Sequence, residues 1–164
     1  MFKSIFLPII AVMLFIVFIG LFSQGKLEFL TNKISKPTTV DNIIKIDETK
    51  IKVEVAKTNE ERSKGLSNRD FLDQDSGMLF VFGESSKPTF WMKDTKIALD
   101  IIWIKDDKVV LINKNVNPEP DVKDSDLKKY PAPSEIDYVL EVNAGFSDKH
   151  KITTGSTVQK LFDL

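Results

Sequence analysis

The sequence predicts a small, mainly β domain, an antiparallel barrel or sandwich with two short helices, preceded by one N-terminal transmembrane helix. Three observations lead to this prediction: an uncharged apolar run at residues 5–22, about seven short strand-like segments within residues 42–144, and only two short helical signals. Many short strands separated by turn residues are typical of barrels and sandwiches. A chain of 164 residues fits one such domain with appended segments.

The apolar run at residues 5–22 has the length of a membrane-spanning helix. At about 1.5 Å per residue it would extend roughly 27 Å, close to the ~30 Å hydrocarbon core of a bilayer. Lys3 precedes the run, so the positive-inside rule predicts a cytoplasmic N-terminus and a domain outside the membrane. A cleavable signal peptide, with a weak site at residues 23–25, would instead give a secreted domain. A buried core helix is the third alternative, and the lack of interspersed polar residues speaks against it.

We therefore expect three segments along the chain. Residues 1–25 form a signal-anchor or transmembrane segment, residues 26–41 form a polar linker broken at Pro37, and residues 42–164 form the β-rich domain. The expected location is the cell membrane, as a single-pass protein whose domain is extracytoplasmic.

The composition excludes several function classes. The 23 basic and 24 acidic residues nearly balance, which predicts no nucleic-acid partner. The chain has no cysteine and therefore no disulfide, thiolate metal site, cysteine nucleophile or lipoprotein anchor. Its single histidine, His150, lies in a lysine-rich stretch and is expected to be solvated, so we predict neither a metal site nor a cofactor.

The β-rich domain begins with two strand-like segments and a short helix. Residues 51–57 alternate apolar and polar side chains, as a half-buried strand does. Thr58 and Glu61 form a capping box that starts a helix, and Gly65 is placed to end it. The other predicted elements are strands at 42–46, 77–82, 89–93, 97–104, 108–116 and 138–144, a hairpin turn at 105–107 and a second short helix near 145–150.

A long connection separates the last two of these strands. Residues 117–137 carry four prolines and six acidic side chains. Structureless loops beyond about 12–15 residues are uncommon in compact domains and are often functional. The connection is therefore either a docking site for another envelope protein or a solvated, extended excursion, and the sequence favours neither.

Only two of the 23 basic residues are arginines, and both lie in one short segment, at Arg62 and Arg69. Arginine differs from lysine in its planar fork, which grips a carboxylate or phosphate through two hydrogen bonds or stacks on an aromatic ring. Their placement indicates either a ligand-binding segment or structural contacts to buried carboxylates.

A second group of candidate residues follows in two later predicted strands. Strand alternation places Trp91 and Lys93 on one face. Asp100 interrupts an apolar run, so a buried carboxylate there must be paired or hydrogen-bonded, with Arg62 or Arg69 as the expected partner. Together these side chains predict a polar, aromatic cleft that binds a small ligand. A purely structural Arg–Asp brace would use the same residues.

Catalysis has weaker support, and we assign no catalytic residue. Asp94 and Asp100 are the nearest candidates for a carboxylate pair of the kind that hydrolyses glycosides. The sequence does not fix the distance between them, so a hydrolase is the last of three alternatives.

Several motifs in a fixed order make the chain resemble domain-of-unknown-function family 192, an uncharacterised family of bacterial and archaeal proteins, many of them exported. The motifs are RSKGLSNR (62–69), GMLFVF (77–82), FWMKDT (90–95), LDIIWI (99–104) and YVLEVNAG (138–145), and the resemblance covers residues 48–160. It implies a small β-rich domain and supplies no established reaction. The matching positions are Arg62, Gly65, Leu66, Arg69, Gly77, Met78, Phe90, Trp91, Met92, Lys93, Thr95 and Asp100.

The chain departs from the pattern of this family at two positions. Asp94 stands where members usually have asparagine, and Ser156 stands where they usually have aspartate. Position 156 therefore offers no carboxylate that could serve as a required acid.

The predicted function is binding rather than catalysis. A membrane-anchored, extracytoplasmic domain would bind a small anion, a sugar or the terminus of a protein partner. The predicted ligand-binding residues are Arg62, Arg69, Trp91, Lys93 and Asp100. The first alternative is a scaffold or assembly protein that docks an envelope protein through residues 117–137, and the second is a carboxylate-based hydrolase.

Overall fold

Nine strands and two helices build the part of the chain that the computed structural model describes, residues 42–163 apart from the side chains of residues 84 and 85. The predicted segments 1–25 and 26–41 lie outside the described residues. The strands are β1 (Ile43–Ile46), β2 (Thr49–Ala56), β3 (Ser76–Ser86), β4 (Thr89–Phe90), β5 (Leu99–Lys105), β6 (Lys108–Val116), β7 (Tyr130–Pro131), β8 (Ile136–Asn143) and β9 (Val158–Lys160). The helices are α1 (Asn59–Lys64) and α2 (Phe146–Lys149). Neither helix is long and apolar enough to cross a membrane.

Seven of these strands form one sheet, in the order β6-β5-β8-β3-β2-β1-β9. The sheet curls until its two edges approach each other at one end. There Lys108 forms an isolated bridge with Thr157, and the Val109 amide donates to the Ser156 carbonyl at 3.0 Å. The domain is thus a curled half-barrel with two short helices, which confirms the prediction of a mainly β domain.

One pair of strands corrects the expectation of a purely antiparallel sheet. Strands β2 and β3 run parallel, and α1 lies in the connection between them. A parallel pair needs such a crossover, because its second strand must begin at the same end as the first. The predicted capping box is present, with the Thr58 hydroxyl accepting from the Glu61 amide at 3.1 Å. Gly65 ends the helix at a φ of +46°, a value that glycine adopts at little cost.

The central strands β3, β5 and β8 are buried on both faces. Side chains from all seven strands meet inside the curl and form an inner core. Its members include Ile44, Val53, Leu79, Ile102, Val109, Leu140 and Val158. The opposite face of the central strands carries an outer core, covered by chain outside the main sheet. Its members include Leu66, Met78, Phe80, Met92, Ile101, Trp103, Tyr130 and Val139. Burial on both faces explains the almost unbroken apolar run in β5.

The structure also corrects the strand predicted at residues 89–93. Strand β4 stops at Phe90, and the next residues form a tight turn in which Thr95 donates its amide to the Met92 carbonyl at 3.1 Å. Asp94 has a φ of +54°, a left-handed conformation that asparagine and aspartate tolerate better than most residues. Either an asparagine or an aspartate suits this conformation. Trp91 and Lys93 consequently do not alternate on one face of a strand.

The long connection after β6 is not a free loop. It contributes β7, which pairs with β4 through Phe90 and Tyr130. Leu127 and Tyr130 are buried, and Tyr130 belongs to the outer core. Apolar side chains at these two positions fold the connection back over the outer face of the sheet.

Candidate functional site

A cleft of about 500 Å³ lies over the outer core, between α1 and the turn that follows β4. Its lining combines aromatic rings, cationic side chains and one buried acid. These are Phe80, Phe82, Phe90, Trp91, Arg62, Lys64, Lys93 and Glu141. Both the volume and the mixture of apolar walls with few polar groups are typical of small-molecule sites.

Stacked rings hold the aromatic wall of the cleft in place. Phe90 meets Phe80 edge to face, with ring centroids 4.9 Å apart, and meets Trp103 in the same way at 5.5 Å. Such pairs add about 0.5–1.5 kcal/mol each beyond the area that they bury. The wall is therefore already formed without a ligand.

The turn that carries Trp91 and Lys93 is fastened to the segment after α1. The Ser67 and Thr95 hydroxyls each donate to the Lys93 carbonyl at 3.2 Å, and the Asn68 amide donates to the Asp94 carbonyl at 2.7 Å. Hydrogen bonds thus join two segments far apart in sequence at one rim of the cleft.

The connection between β6 and β8 reaches the same rim at two points. The ammonium of Lys129 sits 3.5 Å from the ring centroid of Trp91, whose side chain is half exposed. Asp124 accepts a hydrogen bond from Lys93, and this bond raises the pKa of that lysine. The rim therefore carries the cations of Lys129 and Lys93, and two carboxylates, those of Asp124 and Asp94, lie close to Lys93.

Arg62 lines the cleft and also ties α1 to the sheet. Its guanidinium donates to the Lys57 and Val81 carbonyls, the latter at 2.8 Å, and to Asn59 Oδ1 at 2.5 Å. Its central carbon lies 5.3 Å from the ring centroid of Phe82. Arg62 therefore makes structural contacts between α1 and the sheet and also lines the cleft.

Arg69 lies outside the cleft. It forms a two-pronged ion pair with Glu54, with Nη2 and Oε2 2.6 Å apart, and this hydrogen bonding lowers the pKa of Glu54. The pair lines a neighbouring groove of about 580 Å³ that also exposes Phe71. The structure therefore separates the two arginines that the sequence had grouped.

Asp100 is fully buried and lies away from the cleft. Its carboxylate accepts from the backbone amides of Asn115 at 2.8 Å, Gly145 at 3.2 Å and Ser147 at 2.9 Å. The predicted pairing of Asp100 with an arginine is wrong, because backbone N–H groups satisfy it instead. Asp94, the other carboxylate of the hydrolase alternative, is exposed in its turn, and neither aspartate lines the cleft.

Glu141, on β8, is the residue that the sequence analysis missed. It is only 5% exposed, faces the cleft, and has no hydrogen bond or ion pair within the described residues. Its neighbours across the sheet are Met78 and Ile101, and burial raises its pKa to about 8. The sequence does contain a signal for this residue, because Glu141 interrupts an apolar strand just as Asp100 does.

A close approach between strands fixes the backbone at this point. A Cβ on Gly77 of β3 would come within 2.6 Å of the Glu141 carbonyl oxygen, so only glycine fits opposite β8 here. No group of three or more His, Asp or Glu side chains within residues 42–163 is arranged to hold a metal ion.

Comparison with known proteins assigns the family. The family model of DUF192, domain-of-unknown-function family 192, described as "Uncharacterized ACR", matches residues 42–160. The chain belongs to this family. Four of the five motifs contribute residues to the lining of the cleft: RSKGLSNR, GMLFVF, FWMKDT and YVLEVNAG.

Two solved structures resemble this DUF192 domain. A candidate transcription regulator from Sinorhizobium meliloti 1021 is 27% identical, with a TM-score of 0.66 over 73% of this chain and 93% of its own. A protein of unknown function from Novosphingobium aromaticivorans DSM 12444 is 32% identical, with a TM-score of 0.64 over 75% of this chain and 89% of its own. No curated protein matches the chain.

Proposed function

We propose that this DUF192 domain binds a small organic anion in the cleft beside α1. The observation that carries the proposal is a preformed cleft of about 500 Å³ with aromatic walls and cations at its rim. The apolar body of a ligand would pack against Phe80, Phe90 and Trp91, and its charge would meet the rim. Of the ligand classes open from the sequence, the charges of the cleft favour the anion.

The charge of the cleft follows from its side chains. Arg62, Lys64 and Lys93 are cations. Asp124 and Asp94 lie close to Lys93, and Glu54 lies close to Lys64, so the carboxylates offset the lysines more than the arginine. The remaining titratable group, Glu141, is largely protonated at pH 7, since burial raises its pKa to about 8. A cleft with cationic groups and low-dielectric walls concentrates anions from solution.

The description of the Sinorhizobium meliloti relative suggests a second class of partner, nucleic acid. A nucleic-acid surface is normally marked by an excess of lysine and arginine on one face. The balance of 23 basic and 24 acidic residues in this chain supports a small ligand instead.

The location of the domain is part of the same proposal. The apolar run at residues 5–22 after Lys3 supports a membrane anchor with the binding domain on the extracytoplasmic side. Protease added to intact spheroplasts should then digest residues 42–164. Protection of the domain until the cells are lysed would contradict this orientation.

A ligand screen with two aromatic variants tests the binding proposal. We expect the full-length chain, in mild detergent, to gain thermal stability with organic carboxylates and to show little gain with uncharged analogues. A ligand that binds the native state at a hundredfold excess over Kd adds about 2.7 kcal/mol.

Substitution Trp91→Ala should abolish that gain. Phe71→Ala removes an aromatic ring that is 75% exposed in the neighbouring groove, so it serves as the matched control and should leave the gain unchanged. An equal loss in both variants, or no stabilisation by any carboxylate, would disprove binding in this cleft.

A further inference from the structure

Glu141 is the feature of the cleft that anion binding alone does not explain. Its side chain is 5% exposed and lines the cleft, where Phe80 and Phe90 also stand. It has no hydrogen bond or ion pair to any described residue, and its oxygens reach the open cleft instead of being fully enclosed. An unsatisfied carboxyl that faces an open cleft is available to a ligand.

Two lysines line the same cleft and do not pair with this carboxyl. Lys93 binds Asp124 at the surface, and Lys64 lies close enough to Glu54 to help lower the pKa of that acid. Glu141 is therefore a buried carboxyl without a counter-charge, and such surroundings favour its uncharged form. The arrangement is that of an uncharged acid, which has one O–H to donate.

We propose that Glu141 acts as a protonated acid that donates a hydrogen bond to an uncharged oxygen of the bound anion, so that the ligand is an oxo or hydroxy acid. This inference rests on the proposed function, because it names the class of anion that the same cleft selects. The anionic group of the ligand would contact the cations at the rim. Its oxo or hydroxy oxygen would accept a hydrogen bond from Glu141.

The charges around Glu141 favour an oxygen acceptor over a ligand ammonium group. From α1, Arg62 and Lys64 line the cleft, and the turn after β4 adds Lys93. From β3 and β5, the neighbours in register are the uncharged Met78 and Ile101. A cationic ligand would have to pass the three cations, whereas an oxygen acceptor needs only the O–H of the acid.

Three probes that differ at one position test the proposal. They are cyclohexanecarboxylate, 4-oxocyclohexanecarboxylate and 4-aminocyclohexanecarboxylate, titrated into the full-length chain in detergent micelles at pH 7 and followed by NMR. We expect the oxo probe to bind roughly threefold to tenfold more tightly than cyclohexanecarboxylate, the parent compound. This is the usual contribution of one neutral hydrogen bond. The amino probe should bind no better than the parent.

Two variants and a pH series assign the difference to Glu141. Glu141→Gln keeps an N–H donor and should retain the preference for the oxo probe, whereas Glu141→Leu should remove it. In the unchanged chain the affinity for the oxo probe should fall roughly threefold to tenfold between pH 7 and pH 9, because the acid loses its proton through a pKa of about 8. In Glu141→Gln this fall should be absent.

The outcomes separate this inference from the proposed function. Binding of the parent without any gain for the oxo probe would overturn the inference and leave anion binding intact. Tighter binding of the amino probe, lost in Glu141→Gln, would overturn it in favour of an ionised Glu141. Failure of all three probes to bind, together with no stabilisation by any carboxylate of the screen, would overturn the proposed function itself. The pH series of the unchanged chain tests the inference even where a variant does not fold.

Discussion

Asp100 and Glu141 are two buried acids on neighbouring strands, and their surroundings differ completely. In the register of β5 and β8, Asp100 pairs with Val142, and the next pair is Ile101 with Glu141. Successive pairs point to opposite faces of a sheet, so the side chains of Asp100 and Glu141 lie on opposite faces. Asp100 accepts three backbone hydrogen bonds and braces the start of α2. Glu141 has no partner within the described residues and opens on a cleft. Burial alone therefore does not distinguish an acid that holds the fold together from one without partners, whereas the set of hydrogen bonds does.

The largest effect is expected from removing the satisfied acid. Asp100→Ala leaves the amides of Asn115, Gly145 and Ser147 without their acceptor, and each unsatisfied buried donor costs about 1–3 kcal/mol. We expect the free energy of unfolding to drop by about 4 kcal/mol in chemical denaturation. The control Asp94→Asn, in an exposed turn, should change it by less than about 0.5 kcal/mol. A drop of less than about 1 kcal/mol in the free energy of unfolding of Asp100→Ala would show that Asp100 does not hold the fold together.

Glu141 should make stability depend on pH. Burial on folding raises the pKa of Glu141 from its ordinary value of 4.5 to about 8, so the native state binds a proton that the unfolded state releases. The free energy of unfolding is therefore expected to fall as pH rises from about 5 to 8, by about 3 kcal/mol relative to Glu141→Gln. If the free energy of unfolding changed equally with pH in the two proteins, Glu141 would not be buried as an uncharged acid.

The two arginines repeat the comparison on a smaller scale. Arg62 donates to two carbonyls and to Asn59 in a partly buried place, so Arg62→Lys should cost about 1–2 kcal/mol while unfolding stays cooperative. Arg69 pairs with Glu54 near the surface, where solvent weakens the interaction, so Arg69→Lys should cost less than about 1 kcal/mol. The reverse order in thermal denaturation would show that the surface pair, not the brace, holds this region.

The same substitutions sharpen the assignment of the cleft. Arg62 lines it and Arg69 does not. Carboxylate binding should therefore weaken in Arg62→Lys and stay unchanged in Arg69→Lys, as titration at equal ionic strength would measure. Equal weakening in both would indicate that the neighbouring groove takes part in binding.

Local patterns in the sequence were sufficient for much of the fold. The capping box of Thr58 and Glu61, the end of α1 at Gly65 and most of the strands followed from interactions between residues a few positions apart. The hairpin turn also followed, since Asp106 and Asp107 both adopt the positive φ that a two-residue turn of this kind requires.

The errors arose where distant segments meet. Strand β4 ends at Phe90 because the next turn is fixed from outside by Ser67 and Asn68, and alternation within residues 89–93 carries no record of that contact. The parallel pairing of β2 with β3 likewise depends on where α1 returns the chain.

The sequence by itself determined a mainly β domain of the DUF192 family, the candidate side chains Arg62, Trp91 and Lys93, and the need of Asp100 for partners. Only the tertiary structure decided which acid is satisfied and which is free to meet a ligand. The physical reason is that Asp100 and Glu141 carry the same local signal, an acid in an apolar strand. Their difference lies in backbone amides up to 47 positions away in the chain, which folding brings to one acid and not to the other.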